Sequence, residues 1–268
     1  MSAPNNPLAE TVTVVEPAWS HVDDHFIDGK WVTSSGAERI NVVNPATGEV
    51  WASVPAADEH DVSAAMSAAR RAFDEGPWPR MSPSERAEVL VRFATEVEAR
   101  AEGLSITNTL ENGSPIAETG GAAANAAGIL RYFASLAPQL EREDVRPFPH
   151  GLGESVVQRD PVGVCALIAP WNFPINLVVI KLAPALLAGN TVVIKPASPT
   201  PLSIRYIVEA AHAAGVPAGV VNLITGPGRM GDSMVRHTMV DKVAFTGSTE
   251  VGRTIAAACG ELLRPVTL

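Results

Sequence analysis

Four times in the second half of the chain, a short apolar run is followed by a run with helical spacing. The apolar runs are Val162 to Ala169, Thr191 to Lys195, Val220 to Thr225 and Lys242 to Phe245. The helical runs are Ile175 to Ala188, Leu202 to Ala214, Met230 to His237 and Ser248 to Cys259. Strands this continuously apolar are covered on both faces, and strand–helix alternation closes them into a parallel sheet. The predicted class is therefore α/β: a doubly wound parallel sheet, Rossmann-like, that binds its ligand at the carboxyl ends of the strands.

The first half reads differently. His25-Phe26-Ile27 and Lys30-Trp31-Val32 flank Asp28-Gly29, a two-residue hairpin signal, and Val42-Val43 and Val50-Trp51 flank a second turn, Asn44-Pro45-Ala46-Thr47-Gly48. From Asp58, the positions Val62, Ala65, Met66, Ala69 and Phe73 follow helical spacing. A second helix starts with Ser82 as N-cap, Pro83 at the first helical position and Glu85 three residues after the cap, with Val89, Leu90, Phe93 and Val97 facing inward. Ser114-Pro115 is expected to open a third, Ala-rich helix running toward Ala137, and Ser155 to Arg159 a strand. The expected organisation is a loose arm over 1–20, a hairpin and helical layer over 21–140, connecting strands over 141–160 and the Rossmann-like core over 161–268.

Composition narrows the function classes. The net charge is -9 without a dense Lys/Arg run, which argues against nucleic acid and anionic membrane surfaces. The N-terminal stretch has neither an apolar signal core nor an Arg-rich amphipathic pattern, and the apolar stretch Gly163 to Ala169 is too short to span a bilayer. Cys165 and Cys259 are the only cysteines; neither a disulfide framework nor a Cys/His metal site follows from them, so no metal and a cytoplasmic location are expected.

The chemistry-bearing residues sit at the predicted strand ends. An amide at Asn172 can donate into a ligand crevice, or simply satisfy its own turn between Pro170 and Pro174. Lys181 lies on an otherwise apolar helix, where an unpaired charge is costly unless it snorkels to solvent. Gly247-Ser248 opens a helix, whose free N–H groups and dipole favour an anion; Ser248 is also an ordinary N-cap, and the two roles are compatible. Gly226-Pro227-Gly228-Arg229-Met230-Gly231 matches G-x-G-x-x-G, but it follows the third strand of the alternation rather than the first.

Four pieces in this order, NPATGE, PWNFP, KPASPTP and FTGSTEVG, make residues from about 25 to 268 resemble the aldehyde dehydrogenase superfamily. The resemblance implies a Cys thiolate that attacks an aldehyde to give a thiohemiacetal, with oxidation to the carboxylic acid by NAD or NADP. It implies that Asn172 holds the oxyanion and that Lys181 lies near the proton path of deacylation. Among cofactor contacts it places Ile168, Pro170 and Trp171 at the first strand's end, Lys195 at the adenosine ribose, Gly228 beside the adenine, Gly247 and Ser248 at the pyrophosphate and Thr246 near the nicotinamide. Ser198 stands where many NAD-using members carry Glu. A serine does not repel a 2′-phosphate, so a strict preference for NAD is not expected. The strand from Glu154 to Arg159 resembles the family's bridging region, which implies a homo-dimer or homo-tetramer.

The family's general base, in a Glu-Leu-Gly-Gly motif, and its nucleophilic Cys lie beyond the residues matched here. Cys165 falls in a buried strand and Cys259 near the end of a packing helix, so both are expected to be inert and the 268-residue chain inactive alone. The expectation is the cofactor-binding portion of a longer enzyme; the alternative is a non-catalytic module that binds a dinucleotide or a partner.

Overall fold

Asp28 and Gly29 both take positive φ, 55° and 73°, the geometry a two-residue type I′ turn requires. They join β1 (Asp24–Ile27) to β2 (Lys30–Thr33). In the computed structural model, which describes residues 21–268, this hairpin is not a separate β region: β1 pairs antiparallel with β9 (Val221–Leu223) and extends the main sheet. Asp28 N donates to Asn222 Oδ1 at 3.0 Å, which fastens the turn to that strand. The expected arm over 1–20 lies outside the described residues.

β3 (Arg39–Val43) and β4 (Val50–Pro55) form the second hairpin. Helix α1 (Glu59–Asp74) follows, with Asp58 and Asp61 closing a capping box. A 3₁₀ turn, Trp78–Arg80, leads to α2 (Pro83–Glu98), where Ser82 and Glu85 form the predicted box and Val89, Leu90, Phe93 and Val97 are buried.

Helix α3 (Ala101–Asn112) was not foreseen. It has no side-chain cap at Arg100, so its start carries no sequence signal, and Gly113 ends it in the left-handed region at φ 85°. The single helix expected from Ser114 to Ala137 is three: α4 (Ile116–Thr119), α5 (Ala122–Ala134) and α6 (Ala137–Glu141). Gly120-Gly121 and Ser135-Leu136 interrupt it. The Ala face of α5 packs closely on α2, as its small side chains suggest. β5 (Asp144–Pro147) and β6 (Glu154–Val157) then pair as an isolated antiparallel ribbon.

The four strand–helix repeats are as expected: β7 (Val164–Ile168), α7 (Pro174–Leu187), β8 (Thr191–Lys195), α8 (Ser203–Ala213), β9, α9 (Gly228–Arg236), β10 (Lys242–Phe245) and α10 (Thr249–Glu261); a short further strand, β11 (Val266–Thr267), follows them. The sheet order is β11-β10-β7-β8-β9-β1-β2, with the first five strands parallel. Alternate residues feed two cores. Cys165, Leu167, Val192 and Ile194 pack toward α2, α5, α7 and α8, whereas Val164, Ala166, Ile168 and Val193 pack toward α1, α9 and α10. Among the described residues no helix is long and apolar enough to cross a membrane.

Candidate functional site

From β7 the chain steps to β8 and β9, then crosses back to place β10 on the other side of β7. The winding direction therefore reverses between β7 and β10, and a crevice at such a reversal is where open α/β sheets bind ligands. Thr246 N donates to Ile168 O at 3.1 Å, one bond beyond the paired strands, so the two strand ends leave the sheet together.

Beyond β10, Gly247 has no room for a side chain: a Cβ there would stand 2.4 Å from Phe245 Cζ. Ser248 caps α10, its Oγ accepting from Val251 N at 3.3 Å, and both Gly247 and Ser248 are exposed. The remaining N–H groups of that first turn face outward at the positive end of the helix dipole.

Beyond β7, Trp171 and Phe173 are exposed on either side of Asn172. The loop is held from α3, because Asn112 Nδ2 donates to Trp171 O at 2.7 Å and to Asn172 O at 3.3 Å. Sequence reasoning missed Asn112; its only signal was a polar residue beside the helix-ending Gly113. Asn172 lines a cavity of about 200 Å³ with Asn108, Asn112, Asn125, Phe173 and Asn176.

Lys181 is elsewhere. Its Nζ donates to Leu177 O at 2.7 Å, and burial pushes its ammonium down to about 8. It lines a second, largely apolar cavity of about 310 Å³ between α7 and the sheet, with Cys165, Leu167, Lys242 and Thr267. The two candidate catalytic residues thus do not share a cavity among the described residues.

The adenosine-side candidates gather at the exits of β8 and β9. Lys195 is 5% exposed, and its Nζ donates to Pro196 O at 2.9 Å. Burial pushes it down to about 8. An ammonium has three donors, and a buried one with a single carbonyl partner suits a ligand that offers hydroxyl or phosphate oxygens. Ile168 and Lys195 both lie 3.8 Å from where a Cβ of Gly231 would stand, so α9 packs on them by its glycine. Ser198 Oγ donates to Gly226 O at 3.1 Å, which fastens the loop before α9 to the end of β8. Gly228 is the first residue of α9 and is exposed; Pro170 is half-buried. These residues fit a dinucleotide laid across the strand ends.

The thiols do not belong to this crevice. Cys165 is buried in β7 and pushed up to about 12 by that burial; Cys259 is buried in α10 and also pushed up. Both are held as unreactive thiols. Asp58, His60 and Asp61 bring oxygen and nitrogen atoms within 4.8 Å of one another. The two carboxylates are already spent on the α1 capping box and on Ser34 and Ser35.

The sequence model of the aldehyde dehydrogenase family matches residues 31–268. The chain is 46% identical over 244 residues to the geranial dehydrogenase of Castellaniella defragrans, covering 91% of this chain and 51% of that protein. It is 45% identical over 253 residues to the phenylacetaldehyde dehydrogenase of Pseudomonas fluorescens, covering 91% and 50%. A crystal structure of a mutant aldehyde dehydrogenase C from Pseudomonas syringae, in complex with NAD+ and octanal, superposes with a TM-score of 0.87 at 36% identity, covering 92% of this chain and 50% of that one. The chain spans about half the length of the curated relatives it matches.

Proposed function

The chain belongs to the aldehyde dehydrogenase family, and we propose that it is the cofactor-binding portion of an NAD(P)-dependent enzyme that oxidises an aldehyde to a carboxylic acid. The observation that carries this reading is the pair of strand ends at the winding reversal, joined by the Thr246–Ile168 bond and followed at once by the open N-terminus of α10. Relatives at 46% and 45% identity, named as a geranial dehydrogenase and a phenylacetaldehyde dehydrogenase, support it.

When bound, NAD or NADP supplies a hydride acceptor at its nicotinamide ring. In this reading the chain's own residues position and polarise. The first turn of α10, with Gly247 and Ser248, holds the pyrophosphate by backbone N–H groups. Lys195 and Ser198 face the adenosine ribose, with Gly228 and Ile168 beside the adenine. Pro170, Trp171 and Thr246 border the nicotinamide side. Asn172 donates its amide to the oxyanion that develops when a thiolate attacks the aldehyde carbon. Lys181, whose ammonium burial makes a readier proton donor, serves the proton path on which the acid product is released.

The attacking thiolate is assigned outside these residues, since both thiols here are buried and held protonated. The β5–β6 ribbon exposes Val145, Val156 and Val157 with nearby Phe148 and Leu152, a surface suited to pairing with another subunit, which supports a homo-dimer or homo-tetramer.

The test is a purified 268-residue chain given aldehyde and either cofactor. It should bind nucleotide by calorimetry and give no NAD(P)H absorbance above blank. Absence of nucleotide binding would overturn the cofactor assignment. Turnover lost on Cys165→Ser or Cys259→Ser would overturn the assignment of the thiolate.

A further inference from the structure

The cavity beside Asn172 is lined by Asn108 and Asn112 from α3, Asn125 from α5, Asn172 itself and Asn176 from α7. Three helices and one loop thus bring amides to the same space of about 200 Å³. Asn112 has a structural task there: its Nδ2 holds the carbonyls of Trp171 and Asn172, and its Oδ1 accepts from Ser114. Asn108 and Asn176 have no such task for their oxygens. Asn108 is only 8% exposed, and the Oδ1 of each residue is buried without a hydrogen-bond partner among the described residues. A buried amide oxygen left bare destabilises a fold, whereas an apolar side chain of similar shape does not. Stability therefore gives no reason for an amide at both positions.

The rest of the lining says what would satisfy them. No Lys, Arg or His borders the cavity among the described residues, and its one carboxylate belongs to Glu118, an exposed residue. An anionic ligand finds no counter-charge there. An amide carries an acceptor and two donors, and turning it about its broad terminal torsion exchanges them at little steric cost. A hydroxyl, which also donates and accepts, is its match. An apolar cavity of about 150 Å³ takes a benzene ring, so about 200 Å³ takes roughly six to eight non-hydrogen atoms.

We infer that this cavity receives the tail of the aldehyde and selects a short, neutral tail that carries a hydroxyl group, with Asn108 and Asn176 as the specificity residues. The inference rests on the reading above that the carbonyl reacts beside Asn172, since the space that Asn172 borders then receives the rest of the molecule. A hydrocarbon tail of the same size displaces water from both amides and replaces none of its hydrogen bonds, whereas a hydroxyl keeps them.

The experiment isolates the hydroxyl. 3-Hydroxybutanal and 3-methylbutanal share one skeleton and differ in a hydroxyl against a methyl. In an enzyme of the relatives' full length, kcat/KM is measured for both, as wild type, Asn108→Leu and Asn176→Leu. Wild type should favour 3-hydroxybutanal by about tenfold or more. Each variant should lower that ratio by roughly threefold or more. A wild-type ratio near one, as amides that hold only water would give, overturns the inference without needing any variant to fold. A preference kept in full by both variants overturns it too. Acetaldehyde, which has almost no tail to select, keeps the two readings apart. An enzyme that oxidises acetaldehyde but does not favour 3-hydroxybutanal overturns this inference alone. One that oxidises none of the three overturns the aldehyde-oxidising reading as well.

Discussion

Asn112 and Trp171 are joined by a hydrogen bond that crosses between layers: the amide Nδ2 at the end of α3 donates to the Trp171 carbonyl at 2.7 Å. The amide cannot turn freely, because its Oδ1 accepts from the backbone N and the hydroxyl of Ser114. The helix end is equally fixed, since a Cβ on Gly113 would stand 2.7 Å from Pro45 Cγ. A loop that leaves the sheet with two exposed aromatics is thereby given a rigid anchor. Asn112→Ala should make local opening of 170–173 easier by about 1–2 kcal/mol. Native-state chymotrypsin cleavage after Trp171 should then rise roughly 5–30-fold, with little change in Tm. Equal cleavage rates would mean that the loop is held by its own prolines.

Asn172 is the residue that this anchor serves. In an enzyme of the relatives' full length, Asn172→Ala should lower kcat by about 10²–10³ and leave cofactor affinity nearly intact. Asn172→Asp should be at least as damaging, because a carboxylate repels the developing oxyanion. Steady-state kinetics with a direct cofactor-binding measurement separate the two effects. Near-normal kcat in Asn172→Ala would reduce the residue to a turn former.

Glu111 does a job usually done by a local N-cap. Helix α8 has Leu202 at its cap and no side-chain cap of its own, and Glu111 of α3, 3% exposed, accepts from Leu202 N at 2.7 Å and Ser203 N at 2.9 Å. Glu111→Ala leaves two buried donors bare and should cost about 2–3 kcal/mol. The pH dependence has a definite sign. Burial pushes the carboxyl up to about 7, against the hydrogen bonds from Ser203 and Leu202 and the charge of Arg205, which lower it. The folded value exceeds the unfolded one, so the contribution is full below about 4.5 and is lost as pH rises through 7. Glu111→Gln keeps an acceptor without the charge. Its stability relative to wild type, from urea melts between pH 4.5 and 8, should therefore improve as pH rises. A difference independent of pH would show that the carboxyl titrates normally.

The fold was legible where local signals and the global pattern agree. Asp28-Gly29, the Ser82–Glu85 box and the alternation from Val162 onward each specify one local structure, and the sheet satisfies all of them. Legibility failed where the deciding interaction is distant. Helix α3 lacks a cap of its own, so its start is not marked in the sequence. Nothing in Asp24–Ile27 announces that it will pair with a strand almost two hundred residues later. The candidate site behaves the same way. Asn172, Lys195 and Ser248 were visible as candidates because strand ends are visible, whereas Asn112 and Glu111 act across layers and can be read only once those layers are assembled.

Lys195, proposed above to face the ribose, carries a cost in the free chain. Its ammonium is buried with one hydrogen-bond acceptor among the described residues, and burial drives its value from 10.5 down to about 8. A depressed cation binds fewer protons folded than unfolded, so the folded chain bears the full penalty at neutral pH, and stability recovers between about 8 and 10.5. Removing the charge without the volume should therefore stabilise the free chain. Lys195→Met should raise stability at pH 7 by about 1–3 kcal/mol, since the lost bond to Pro196 O offsets part of the desolvation gain. The advantage should shrink as pH rises from 8 toward 10.5, where the lysine becomes neutral in both states. The same variant should lose nucleotide affinity by roughly tenfold or more, the trade of stability against function expected at a preorganised site. Denaturant melts at pH 7 and pH 10, paired with calorimetric titration of 5′-AMP, measure both sides. A Lys195→Met chain that is less stable at pH 7, or that binds 5′-AMP unchanged, would show that the lysine is a structural residue rather than a waiting ligand.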